Sequence, residues 1–225
     1  MFKSKLRPIV IPQSEHAKLA GTLALLWGNT SFDLPETDWL SFIAGVGLHD
    51  RGYGYLDTSA IDEMPEVEWS AITRRGFYMP CSDHVADLII KHHLKRLTSY
   101  SDSAESRVLG AEMDRVIQNQ LEQYSLSREQ FERIDRITNF CDSIAFNFCF
   151  EQAAKGQVTI FPGNHSKDEI PVHYVIEDGE IRADPWPFSV ETYSNYLIGY
   201  QLKDYPIGLD PIIIPFRLAK VTIVP

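Results

Sequence analysis

Cysteine, long apolar runs and positive charge are all scarce in this chain, and each scarcity excludes something. Of 225 residues only three are cysteines. Cys141 and Cys149 lie eight positions apart on an expected helix, roughly 12 Å along its axis, which is too far for a bridge. No disulfide framework is expected; the thiols read as reduced and packed. The longest apolar runs, "LALLW" (23–27) and "PIIIPF" (211–216), fall well short of the ~20 residues that span a bilayer. The N-terminal "MFKSKLRPIVIPQ" is basic but lacks the apolar core of about 7–15 residues that marks a signal peptide. A cytoplasmic protein without a membrane partner is therefore expected. Basic residues number 21 against 31 acidic ones, a net charge of −10, which argues against a nucleic-acid polymer as partner. There are no internal repeats and no low-complexity segment, and nothing in the sequence indicates an oligomeric state.

The remaining composition, 44% hydrophobic and 23% charged, suits a globular chain that buries a real core. Its hydrophobic period changes near Gly156. Before that point apolar residues recur at helical spacing, predicting helices near 13–27, 36–49, 82–98, 104–124 and 128–154. Ser14 and Ser82 are the expected N-caps, each followed by acidic charge in the first turn, and Pro35 precedes the second helix. The segment 58–80 is left without an element. After Gly156 short alternating runs predict strands at about 157–161, 171–177, 180–183, 197–202 and 217–224, with a hairpin turn at Asp178-Gly179. The N-terminal "RPIVI" could add one more strand. The expected architecture is mainly α: a helical domain over 1–155 carrying a β-rich extension over 156–225, α+β overall.

Helical rotation of about 100° per residue tests which polar side chains face the core. His16 falls in the middle of the stripe Leu19, Ala20, Leu23, Trp27. In the next helix Trp39, Phe42, Ile43 and Val46 form the stripe; Asp50 continues it and His49 lies at its edge. In "SDHVADLIIKHHLKRL" the apolar face is Ala86, Ile90, Leu94 and Leu97, and His93 lies on it. His92 points to the far side near Arg96, and is kept as the alternative inward histidine; His84 sits on the polar face. In the last long helix Asp142 lies within about 20° of the centre of the stripe Phe131, Thr138, Ala145, Cys149, with Asp135 as its competitor.

Each of these residues has an ordinary explanation. A lone histidine on an apolar face is more often a hydrogen-bonded core residue than a ligand, and an inward aspartate can cap a helix or pair with arginine. Together they point to a metal, because two carboxylates buried without a cation are costly. The expected ligands are His16, His49, Asp50, His93 and Asp142. A mixed histidine–carboxylate set suits Mn, Fe, Co, Ni or Zn better than Mg. Asp50 is the expected central catalytic ligand, and His93 a ligand or a donor to a substrate.

The order His16, then His49-Asp50, then His93, then Asp142 resembles the HD-domain superfamily of helical metal-dependent phosphohydrolases, which has an oxygenase branch. More closely, "QSEHAKLAGTLALLWGN", "HDRGYGYLD" and "DPWPF" (184–188) look like a bacterial family of unknown function within it. The resemblance implies an HD-like helical bundle and a divalent-metal-dependent phosphohydrolase acting on a small phosphate ester or nucleotide. The chain departs from the familiar phosphohydrolases in having few further histidines, which favours one metal. The alternatives are a non-catalytic binding or signalling module on the same fold, a metal-dependent oxygenase, and a purely structural hydrogen-bond network. Arg51, Tyr53 and Asp57 are the expected substrate-binding residues at the mouth. Arg74-Arg75 and the base candidate Glu15 are weighed against ordinary surface roles. Trp186 and Phe188 read as a rigid turn laid over the core, and His165 and His173 are given no role.

Overall fold

The computed structural model describes residue 4 and residues 6–57 and 64–220. Among these there are six α-helices: α1 (Gln13–Leu25), α2 (Trp39–Gly47), α3 (Glu66–Phe77), α4 (His84–Leu97), α5 (Ala104–Tyr124) and α6 (Arg128–Phe150). Local chemistry sets their ends. Asp38 accepts from the Ser41 N–H at the start of α2 and Asp83 from Val85 and Ala86 at the start of α4, each satisfying N–H groups that the helix itself leaves unpaired. Ser103 and Ser127 cap α5 and α6 in the same way. The expected caps Ser14 and Ser82 lie next to the true starts. Helix α6 stops at Glu151, which turns left-handed with φ 53°, before the expected end at 154.

Helix α3 lies in the segment left without an element. Only one side of it is covered, with Ile72, Thr73, Gly76 and Phe77 buried, so its apolar period is faint. Its charge follows the helix dipole, with Glu66 and Glu68 in the first turn and Arg74 and Arg75 in the last.

Six strands form one sheet: β1 (Ile9–Val10), β2 (Lys155–Ile160), β3 (Ile170–Glu177), β4 (Glu180–Asp184), β5 (Thr192–Gln201) and β6 (Ile212–Ala219), in the order β1-β5-β6-β4-β3-β2. The β3–β4 hairpin turns at Asp178-Gly179, both at positive φ, as the dipeptide predicts. Strand β1 pairs Ile9 with Gln201 and Val10 with Tyr200, so the N-terminal segment does join the sheet. Strands β4 and β6 run parallel. The expected strand at 217–224 is the end of β6, which begins earlier in the "PIIIPF" run; residues 221–224 lie outside the described residues.

The mainly α expectation is corrected by this architecture: the fold is α+β. The sheet packs one face directly into the core. Phe140 of α6 meets the Tyr174 ring of β3 at 6.3 Å, and Phe148 meets Phe216 of β6 at 5.9 Å. Buried side chains from α1 to α6 and from the sheet belong to one cluster. An amphipathic strand needs a partner face as much as a helix does, and α6 supplies it. No helix among the described residues is long and apolar enough to cross a membrane.

Candidate metal centre

Four segments bring the inward polar groups together. His16 lies in the first turn of α1, His93 on α4 and Asp142 on α6. His49 and Asp50 lie just beyond α2, in the turn that follows it rather than on the helix. Gly52, at φ +102°, lets the chain reverse there, and a Cβ on it would stand 2.9 Å from the Gly76 Cα. The turn therefore presses directly on α3, which only glycine permits at such a dihedral and distance.

One ligand atom each from His16, His49, Asp50 and Asp142 lie within 4.8 Å of one another. Asp142 Oδ1 stands 3.3 Å from His16 Nε2 and 3.2 Å from His49 Nε2, and Asp50 Oδ2 is 3.7 Å from His49 Nε2. Donors around an ion at roughly 2.1 Å stand about 3.0–3.4 Å apart, so these edges are close to what a metal needs.

The protonation pattern points the same way. His49 Nδ1 is 2.7 Å from the Val46 carbonyl, which only accepts, so Nδ1 carries the proton and Nε2 offers its lone pair to the cluster. That lone pair faces an Asp142 oxygen, and two acceptors in contact require a proton or a cation between them. His16 is buried between the two carboxylates, its Nε2 facing Asp142 and its Nδ1 3.4 Å from Asp50 Oδ2. Burial pushes the His16 pKa down, but hydrogen bonds and charge from Asp142 and Asp50 outweigh it and raise it to about 9. Burial would likewise raise Asp50 and Asp142, yet the surrounding histidines hold both well below the usual carboxylate range. The group is thus a buried anionic nest with a strong demand for positive charge.

His93 occupies a different role from the one expected of a ligand. Its Nε2 is 3.1 Å from Asp50 Oδ1, and its Nδ1 is 2.8 Å from Arg96 Nη2. Arginine only donates, so Nδ1 accepts and Nε2–H donates to Asp50. Both ring nitrogens are spent, and no lone pair remains for a metal. The ligand expectation for His93 is corrected on this ground; it positions Asp50. His93, not His92, is the inward histidine. His92 stacks on Phe131 at 5.7 Å, and burial pushes its pKa down to about 4.

Two supporting residues were not singled out in the sequence. Gln13 donates its amide to Asp50 Oδ2 and lies 3.2 Å from His16 Nδ1. Arg96 donates Nε to Asp135, Nη1 to Tyr100 and Asn139, and Nη2 to His93. Both stand three residues from a site histidine, the spacing that places side chains on one helix face. That spacing was the available signal. Asp135 is consequently Arg96's partner and not a rival to Asp142.

The three residues expected at the mouth do other work. Arg51 is tied down by the Gly76 and Phe77 carbonyls and by Asp87 at 2.6 Å. Tyr53 is fully buried, its hydroxyl 2.6 Å from Thr73. Asp57 accepts from the Gln13 backbone N–H at 2.8 Å and from Tyr205 at 2.7 Å, capping α1, whose own N-cap residue is Pro12. None of the three lines the cavity beside the cluster. Glu15 accepts from the Ile198 N–H and from Lys18, and Arg74 pairs with Glu112 at the surface. Phe188 packs on Trp27 and Trp186, as expected of a rigid turn over the core.

That cavity holds about 300 Å³, with Asp50, His93 and Asp142 on its wall. Trp69, Leu97, Tyr100 and Phe146 supply its apolar side, and Asn139, Ser143 and Asn147 of α6 a neutral polar one. Larger cavities, of about 660 Å³ between α3 and α5 and about 390 Å³ by the start of α6, contain no residue of the cluster. The chemistry therefore singles out the smaller one.

A family model described as "Protein of unknown function (DUF3891)" matches residues 3–204. The chain belongs to the DUF3891 family. The match takes in α1–α6 and β1–β5, and all residues of the cluster and its cavity. For this DUF3891 chain no curated protein and no solved structure gives a match.

Proposed function

We propose that the chain is a divalent-metal-dependent hydrolase of a small phosphate ester, with an HD-like arrangement of ligands. The observation that supports this most is the buried His16, His49, Asp50 and Asp142 group opening on a cavity of about 300 Å³. One ring nitrogen of His16, His49 Nε2 and one oxygen from each aspartate would hold Mn, Fe, Co, Ni or Zn. Such an ion would lower the pKa of a bound water and polarise a phosphoryl oxygen. Two carboxylates and two neutral imidazoles balance one divalent charge. The protein's own contribution is rigidity. Gln13 and His93 each take one oxygen of Asp50, Arg96 locks the His93 tautomer, and Val46 locks that of His49. Such outer contacts orient ligands and keep a site pre-organised.

One observation favours a non-catalytic binding module on the same fold: among the described residues no lysine or arginine lines the cavity. Reconstitution with each of the five metals, followed by a phosphate-ester screen, separates the two. Turnover in wild type that is lost in Asp142→Asn supports the hydrolase. Metal uptake without turnover of any ester favours the binding module.

A further inference from the structure

The cavity wall also says what kind of molecule it accepts. Its charged groups are Asp50 and Asp142, and among the described residues no lysine or arginine lines it. Arg96 lies behind the wall; four of its five N–H donors serve Asp135, Tyr100, Asn139 and His93, and its Nη2 stands 3.9 Å from Asp142 Oδ2. A second anionic group on a bound molecule would find Arg96 already held by these partners and no lysine or arginine on the wall to pair with, which is an electrostatic penalty against it.

Asn139 is the informative residue. An amide's two ends are ordinarily hard to tell apart, but here Arg96 decides. Arg96 Nη1 can only donate, so the Asn139 atom 2.8 Å away is the carbonyl oxygen. Ser143 Oγ donates to that same oxygen from one turn along, at 3.4 Å. The Asn139 Nδ2 end has no hydrogen-bond partner among the described residues, while Asn139 lines the cavity. Its two N–H donors and the Ser143 oxygen lone pairs form a neutral donor–acceptor pair. Trp69 and Phe146 provide aromatic surface in the same cavity.

We propose that the cavity takes a neutral, polyhydroxylated body of monosaccharide size, and that Asn139 is the residue that selects it. The hydroxyls pair with Asn139 Nδ2 and Ser143, and the C–H faces pack on Trp69 and Phe146. A cavity of about 300 Å³ is at the small end for ligand sites, with room for a monosaccharide. This deepens the hydrolase reading and rests on it only for the phosphate ester bond: the substrate would be the monophosphate of such a body.

The test measures binding of the unphosphorylated body, which needs no turnover. The full chain is titrated with D-ribose, D-glucose, D-glucuronate, adenosine and uridine, with saturation-transfer NMR as the readout. A neutral monosaccharide should bind, and glucuronate about 10-fold more weakly than glucose. Asn139→Ala should weaken monosaccharide binding about 10-fold, the loss expected for one neutral hydrogen bond. Asn139→Asp keeps an acceptor for Arg96 and removes the donor end, so it should show the same loss even if the alanine variant folds poorly. Nucleosides binding in place of monosaccharides, no binding at all, or unchanged binding in Asn139→Asp would overturn the proposal. Monosaccharide binding without hydrolysis of any monophosphate would support it and sink the hydrolase reading alone. Hydrolysis of other esters without monosaccharide binding would do the reverse.

Discussion

Replacing Arg96 by methionine removes a buried charge at nearly constant length. Its guanidinium side chain is 11% exposed and Asp135's carboxylate 14%. The Nε–Oδ2 distance is 3.0 Å, and Asp135 Oδ1 is already buried with no hydrogen-bond partner. After substitution Asp135 would be a desolvated carboxylate without a counter-charge, and His93 Nδ1 an acceptor without a donor. Breaking a buried pair from one side costs about 3–5 kcal/mol. For a domain of this size that corresponds to a fall in Tm of roughly 6–20 °C. Urea unfolding should show the midpoint falling at constant slope. Arg96→Met with Asp135→Leu should recover most of the loss, because the orphaned charge leaves with its partner. A single-variant loss below about 1 kcal/mol, typical of an exposed pair, would refute the picture of a desolvated brace behind His93.

His92 should make the protein acid-sensitive. Its pKa is about 4 in the folded chain against 6.5 ordinarily, so as pH falls the unfolded chain takes up the proton first. Stability should drop from pH 6.5 to about 4 and level off below, by up to about 3 kcal/mol, and His92→Phe should lack that component in pH-dependent urea melts. Gly76→Ala should destabilise strongly, because the new Cβ would stand 2.3 Å from the Arg51 carbonyl oxygen. A Tm within 2 °C of wild type, roughly 1 kcal/mol or less, would show that the turn carrying His49 and Asp50 can move away from α3. Asp57→Ala should cost about 1 kcal/mol in the same assay, the usual value of a lost helix cap, and no change would mean that solvent replaces it.

Helix periodicity pointed His16, His93 and Asp142 to the interior, because each lies on the apolar stripe of its helix, with His92 and Asp135 kept as rivals. It also located Asp50, although that residue belongs to the turn after α2, since the stripe's direction carries one turn beyond the helix end. What rotation about a single axis cannot report is which partner a side chain meets. His93 faces the core, yet Arg96 and Asp50 consume both its nitrogens, and that is visible only once α4 is packed against α6 and the 48–50 turn. Arg51, Tyr53 and Asp57 were misread for the same reason. Their position in a glycine-rich loop suggested a mouth, whereas α3 and the N-terminus of α1 pack over that loop and bury all three functional groups. The weight of the sheet was underestimated because β5 carries few apolar residues at strict alternation, because Pro215 interrupts the alternating Ile212, Ile214, Phe216 and Leu218 of β6, and because β1 comes from the opposite end of the chain. Helix α3 escaped notice because it buries little more than its final turns.

The most direct test of the metal centre is elemental analysis of protein purified without an affinity tag, for wild type and Asp50→Ala, with circular dichroism confirming that the variant is folded. The account predicts about one transition-metal ion per wild-type chain and a near-complete loss in the variant. Wild-type protein that holds no metal after incubation with Mn, Fe, Co, Ni and Zn in turn would contradict it, and would leave the four buried side chains as a proton-bridged structural network.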